Sequence, residues 1–125
     1  MRECARTLKV AELLRWQADY NGALDAFASM RILAGAAGDA LSEARGSQGA
    51  AFVLNYKGDH AAAIVHAQQA ADKARPLLAH DVLTATSYDQ GWAHFRLGQY
   101  LQALECAGRT IALSEARSDD YQLSL

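Results

Sequence analysis

Three segments of the chain repeat at intervals of 40 residues: Ala18-Asp19-Tyr20-Asn21-Gly22-Ala23-Leu24, Gly58-Asp59-His60-Ala61-Ala62-Ala63-Ile64 and Gly98-Gln99-Tyr100-Leu101-Gln102-Ala103-Leu104. Each segment begins with turn-forming residues and ends with an alanine followed by an aliphatic residue. The correspondence continues downstream, where Ala34, Ala74 and Ser114 keep the same spacing. An internal repeat of this length predicts three similar structural units that stack on one another.

Small and apolar residues on both sides of each turn recur every three or four positions, which is the spacing of an amphipathic helix. After the second turn they occupy positions 63, 64, 67, 70, 71 and 74. Each unit is therefore predicted to be a helical hairpin. The predicted helices span residues 4–17, 20–36, 41–57, 60–75, 82–97 and 100–117.

Residues at the turns inside the hairpins support these boundaries. Gly58 and Gly98 follow the first helices of their units, where a left-handed backbone costs glycine little. Asp19 and Asp59 precede the second helices of their units. Their carboxylates can accept hydrogen bonds from the free backbone amides at the start of those helices. These positions predict where one helix ends and the next begins.

The connections between hairpins carry a second set of signals. Gly35 and Gly38 are predicted to close the first unit, and Pro76 is predicted to end or kink the helix that closes the second. Asp39 and Asp81 are available as N-caps for the helices that follow.

The pattern as a whole predicts an all-α fold, a right-handed superhelical stack of three helical hairpins in a single domain over residues 1–125. The repeats cover about 1–38, 39–78 and 79–118. Residues 119–125 fall where a fourth unit would start, so we expect the start of a seventh helix or a tail there. A lone hairpin cannot bury its apolar stripe, so the hairpins must stack on one another. The end helices of such a stack keep a partly apolar exposed surface.

The repeated residues resemble the tetratricopeptide repeat over residues 4–117. Besides the turns and the alanine-aliphatic pairs, a small residue stands midway along each first helix, at Ala11, Ala51 and Gly91. The spacing of 40 residues exceeds the family's usual value of about 34, and the proline that normally closes a unit occurs only once, as Pro76. The resemblance implies a helical solenoid that binds proteins or peptides. Longer units of this type are similar to those of large bacterial signalling and transcription regulators, which implies a scaffold or regulatory segment.

Composition excludes several other classes of protein. Twelve Lys and Arg residues against fourteen Asp and Glu give a net charge of −2, so the chain lacks the basic surface that direct nucleic-acid binding requires. Cys4 and Cys106 are too few and too far apart for a disulfide framework or a zinc site. The amino terminus lacks a secretory signal, and no apolar run is long enough for a membrane span. We therefore expect a cytoplasmic protein with no membrane partner.

In a stack of this kind the first helices line the concave face, and their outward positions are the candidate partner-binding residues. These residues, which are rich in aromatic and arginine side chains, are Glu12, Arg15, Trp16, Phe52, Asn55, Tyr56, Tyr88, Asp89, Trp92, Phe95 and Arg96. Such side chains are enriched in binding hot spots, and a groove that holds a peptide is the leading interpretation. The alternative is that Trp92 and Phe95, three residues apart, fill space between hairpins. The tetratricopeptide repeat family recognises terminal carboxylates with Lys, Asn and Arg side chains of the first helices. We do not predict this mode of binding here, because Leu8, Glu12 and Gly49 stand at such positions.

Neither catalysis nor a metal is predicted. The chain has no phosphate-binding loop, nucleophile elbow or dinucleotide fingerprint, and Gly46-Ser47-Gln48-Gly49 falls on a first helix, where small residues permit close packing. His60 and His94 are predicted to be structural, and His66 and His80 to face solvent. We expect a protein that is not an enzyme and holds no cofactor. Two alternatives to partner binding remain open: self-assembly through exposed terminal helices, and sensing of a small ligand between hairpins.

Overall fold

The structure, a computed structural model, describes residues 4–10 and 19–124, with side chains described for 4–10 and 19–116. Every secondary-structure element in these residues is helical. Residues 4–10 are helical and are labelled α1. The remaining helices are α2 (Tyr20–Ala37), α3 (Ala40–Lys57), α4 (His60–Ala74), α5 (His80–Arg96) and α6 (Tyr100–Ser124), with a short 3-10 turn at Arg75–Leu77. The predicted all-α class is confirmed, and the observed ends of α2 to α5 lie within two residues of the predicted ones.

Helices that follow one another along the chain pack against one another. This holds for each successive pair from α2 to α6, and α3 also contacts α5. Earlier in the chain, Cys4 of α1 belongs to the buried cluster built around α2, and Leu8 packs against it. Sequential packing of this kind is consistent with a helical repeat, in which each unit contacts its neighbours.

The helices end at the predicted glycines. Gly38, Gly58 and Gly98 follow α2, α3 and α5 with φ of 70°, 96° and 78°, a left-handed backbone that only glycine adopts without strain. Leu78 takes the same conformation after the 3-10 turn, with φ of 53°. Pro76 lies inside that turn, so the prediction that it ends the α4 helix is confirmed.

Aspartates cap the starts of three helices. The side chains of Asp19, Asp39 and Asp59 each accept a hydrogen bond from the backbone amide three residues further on, at 3.0, 3.1 and 3.3 Å. The predicted cap at Asp81 is wrong, because α5 begins one residue before it, at His80. Asp81 instead lies in the first turn of α5 and pairs with Arg45 of α3 at 3.2 Å.

The predicted seventh helix is also wrong. α6 runs without interruption from Tyr100 to Ser124 through the region where a break was expected. Each break between successive helices from α2 to α6 carries a glycine or a proline, whereas residues 109–124 contain neither.

Small residues let neighbouring helices approach closely. Phe27 of α2 is 1 % exposed and its ring lies against Gly49 of α3, where even a methyl group would overlap it. One turn earlier, a methyl group on Gly46 would lie 2.7 Å from Cγ of Arg31. The prediction that these glycines serve helix packing is confirmed. None of the described helices combines the length and apolar character needed to cross a membrane.

Replacing Ala63 with leucine tests this packing. Ala63 is fully buried and packs with Leu54 and Ala93 where α3, α4 and α5 meet. We expect Ala63→Leu to lower the free energy of unfolding by about 1–3 kcal/mol, because the site has no room for the added carbons. Ala61→Leu, at an exposed position of the same helix, is the control and changes stability little. Urea denaturation measures both, and equal stability of the two variants would contradict the assigned packing.

Candidate functional site

Aromatic side chains from three helices gather on one surface. α3 contributes two of them, α5 three and α6 one. We call this set the aromatic surface; its members are Phe52, Tyr56, Tyr88, Trp92, Phe95 and Tyr100. Five of the six were predicted as partner-binding residues from the sequence.

Trp92 is at the centre of this surface. Its ring centroid lies 5.0 Å from that of Tyr56, 6.3 Å from Phe52 and 6.4 Å from Tyr88, and the first two contacts are edge to face. Phe52 and Tyr56 are 4.9 Å apart on α3. Such pairs are favourable because the ring edge is positive and the ring face negative. The aromatic contacts therefore join α3 to α5, and Trp92 has a packing role, as the alternative interpretation held for it.

Most of the aromatic surface is nevertheless open to solvent. Tyr56 is 54 % exposed, Tyr88 and Phe95 are each 58 % exposed, and Phe52 and Trp92 are half-buried. Tyr100 is 61 % exposed, and its ring lies 5.6 Å from that of Phe95. Rings that pack on one another while exposing more than half of their area leave a large apolar surface uncovered.

A groove of about 550 Å³ adjoins these rings between α5 and α6. Tyr88, Trp92 and Phe95 line it from α5, and Tyr100 and Leu104 line it from α6. Nearly all of the lining is apolar, and its size falls within the range of small ligand or side-chain pockets. The groove can therefore accept apolar groups, and it offers few polar partners to orient them.

Two predicted site residues are buried, so the expectation that they face outward is wrong. Asn55 is 3 % exposed and Asp89 is 1 % exposed. Asn55 Nδ2 donates to the backbone oxygen of Asp89 at 3.0 Å, and Gln48 Nε2 donates to Asp89 Oδ2 at 2.9 Å. His60 Nδ1 lies 2.9 Å from Asn55 Oδ1, which confirms that His60 is structural. These hydrogen bonds join α3 to α5 and to the start of α4, and they supply the partners that buried polar groups require.

The remaining predicted site residues divide into two groups. Arg96 is exposed in the last turn of α5, beside Phe95. Glu12, Arg15 and Trp16 lie outside the described residues.

The sequence did not identify the contribution of α6 to the site. Leu104 is 68 % exposed, whereas Leu24 and Ile64, its counterparts in the earlier units, are half-buried and pack in clusters with the core. The prediction considered first helices alone, and only the repeat register could have drawn attention to Tyr100 and Leu104.

The other histidines differ in part from their predictions. His94 is half-buried, and its Nδ1 lies 2.6 Å from Oε1 of Gln99, which agrees with a structural role. His80 and His66 were expected to face solvent, but both are half-buried. Within the described part of the chain, Nδ1 of His80 is buried without a hydrogen-bond partner.

Arg31 and His66 form a contact between α2 and α4. Nη1 of Arg31 lies 2.8 Å from Nδ1 of His66; because the guanidinium only donates, Nδ1 accepts and the imidazole is neutral. Burial lowers the pKa of His66, and the charge of Arg31 lowers it further, against a weaker opposing effect of Asp59. Burial also lowers the pKa of Arg31.

This contact predicts a pH dependence of stability. His66 has an ordinary pKa of 6.5 in the unfolded chain and a lower one in the fold, so unfolding takes up a proton as the pH falls below 6.5. We expect the midpoint of thermal unfolding to fall between about pH 7.5 and pH 5.5. His66→Asn can still accept from Arg31 but cannot titrate, so its midpoint falls less. Equal shifts in both proteins would contradict the assignment; the lowered pKa of Asp39 acts only at more acidic pH.

The described residues offer no metal site: among them, no three or more His, Cys, Asp or Glu side chains are placed to hold an ion. Cys4 and Cys106 are free thiols, both buried.

Comparison with known proteins gives no match. No family model matches the chain, and neither a curated protein nor a solved structure matches it.

Proposed function

We propose that this chain is a helical-repeat interaction module of the tetratricopeptide type that binds a protein or peptide partner through the aromatic surface. The observation that carries the proposal is the set of four aromatic rings, each more than half exposed, beside an apolar groove. Uncovered aromatic area of this kind is costly in water and is enriched where proteins bind one another.

The shape of the site favours a peptide or a helix as the bound element. The groove runs between two packed helices, and its lining is apolar, so it suits apolar side chains presented at intervals by a partner segment. Tyrosine and tryptophan also bury large areas at a low cost in side-chain entropy. Arg96, exposed beside Phe95, adds a positive charge that can pair with an acidic residue of the partner.

The proposal includes a right-handed superhelical arrangement of the three hairpins and a regulatory or scaffolding role in the bacterial cytoplasm. Its support is the 40-residue repeat and the sequential packing of the helices. On this view the chain acts by binding, without catalysis and without a cofactor.

A double substitution tests the proposal. We expect Tyr56→Ala with Tyr88→Ala to reduce the capture of a specific partner from a lysate of the source cells at least about tenfold, because two exposed hot-spot rings are removed. Ile32→Ala with Val65→Ala, at exposed apolar positions on α2 and α4, is the control and leaves capture unchanged. Circular dichroism verifies that both proteins stay helical. Equal capture by the two variants would exclude the aromatic surface as the binding site.

A second candidate function is self-association through α6. Leu101 and Ile111 are 76 % and 59 % exposed on this helix, and neither lines the groove. If α6 pairs between copies, light scattering shows a mass that rises with protein concentration, and Leu101→Glu with Ile111→Glu returns it to that of a monomer. A constant monomeric mass of the unchanged chain removes this candidate and leaves partner binding intact.

A further inference from the structure

A second cleft, of about 340 Å³, lies among α4, α5 and α6. It shares only Ser87 with the groove of the proposed partner site. Arg75, in the turn after α4, lines it on one side and Arg109 of α6 on another, while its described lining includes no acidic residue. The formal charge of the lining is therefore positive, although the chain as a whole is negative.

The two arginines are not neutralised by strong ion pairs. Arg109 donates from Nη2 to Sγ of Cys106 at 2.9 Å, and no carboxylate among the described side chains lies within ion-pair distance of it. Arg75 reaches Asp72 at 3.4 Å, but both side chains are about 60 % exposed, so water and salt screen the pair. Most donor hydrogens of both guanidinium groups remain available to a ligand.

Buried polar groups complete the cleft. Ser87 is 7 % exposed and makes no hydrogen bond within the described residues, whereas the neighbouring Thr86 donates to the backbone oxygen of Leu83 at 2.9 Å. Gln90 is 5 % exposed, and its Nε2 donates to Oε1 of Gln68 at 3.0 Å. The Ser87 hydroxyl lines the cleft, so it can donate a hydrogen bond to a ligand oxygen there.

The repeat supplies an internal comparison. Forty residues earlier, α2, α3 and α4 form the corresponding cleft, where Ser47 takes the place of Ser87. That cleft contains its own ion pair, with Nζ of Lys73 3.0 Å from Oε2 of Glu43. The counterparts of this pair in the later cleft are both leucine, and the counterpart of Gln69 is Arg109. The later cleft therefore lacks the lysine–glutamate pair of the earlier one and has Arg109, without a carboxylate partner among the described side chains, in the place of Gln69.

We propose that the cleft among α4, α5 and α6 binds a phosphate group. Two guanidinium groups from different sides match the two negative charges of phosphate and its several acceptor oxygens. The hydroxyl of Ser87 donates to a further oxygen. A singly charged carboxylate leaves one of the arginines without a partner and binds more weakly.

Titration followed by ¹H–¹⁵N NMR tests the proposal. Inorganic phosphate and O-phosphoserine are added separately to the full chain, with acetate and sodium chloride at matched ionic strength as references. We expect saturable shifts of the amides of Ser87 and Gln90 and of Nε of Arg109 with phosphate, but not with chloride. Tighter binding of O-phosphoserine than of inorganic phosphate would identify a phosphate monoester as the source.

Substitutions assign the effect to this cleft. Arg109→Met keeps the aliphatic stem, and we expect it to weaken phosphate binding at least about tenfold, since a charged hydrogen bond is lost. Arg31→Met, in the corresponding earlier cleft, is the matched control and leaves binding unchanged. Ser87→Ala is a second, smaller change that weakens binding without removing charge. Shifts that do not saturate, that acetate or chloride reproduces, or that survive Arg109→Met would overturn the proposal.

Discussion

Close contact between neighbouring helices is the constraint on which the rest of the structure depends. It requires small residues at the points of contact, as where the ring of Phe27 lies against Gly49 of the next helix. The same requirement appears in the second unit, where Ala63, Ala67 and Ala70 are fully buried. Since so little side chain separates these helices, the relative position of α3 and α5 is fixed closely enough for aromatic rings to meet across them.

The features that the sequence predicted well are those determined by nearby residues. Helix ends at Gly58 and Gly98 and caps at Asp19 and Asp59 follow from backbone geometry and from hydrogen bonds within a few residues. The predicted end of α6 is wrong because it was based on the register of the 40-residue repeat, which α6 does not follow to its end. At residues 109–124 no glycine or proline opposes its continuation, whereas each break between successive helices from α2 to α6 has one.

The features that the sequence missed depend on distant partners. Asn55 and Asp89 look like surface residues in any hydropathy pattern, and their burial is compensated by hydrogen bonds from other helices: Gln48 donates to the carboxylate of Asp89, and Asn55 donates to the backbone oxygen of Asp89. Similarly, His66 is half-buried because Arg31 lies beside it. The aromatic residues were recognised by type and position, but the contribution of Tyr100 and Leu104 depends on which face of α6 stays uncovered. No local pattern contains that information.

Ser87 belongs to two recesses at once, since it lines both the groove between α5 and α6 and the cleft among α4, α5 and α6. Its hydroxyl can turn toward only one of them at a time. If a ligand in one recess accepts a hydrogen bond from this hydroxyl, the cost of filling the other recess changes, and thermodynamic linkage requires this influence to be equal in both directions. Rotation of this one hydroxyl would thus couple the binding of an apolar group in the groove to the binding of an anion in the cleft, without any movement of the helices.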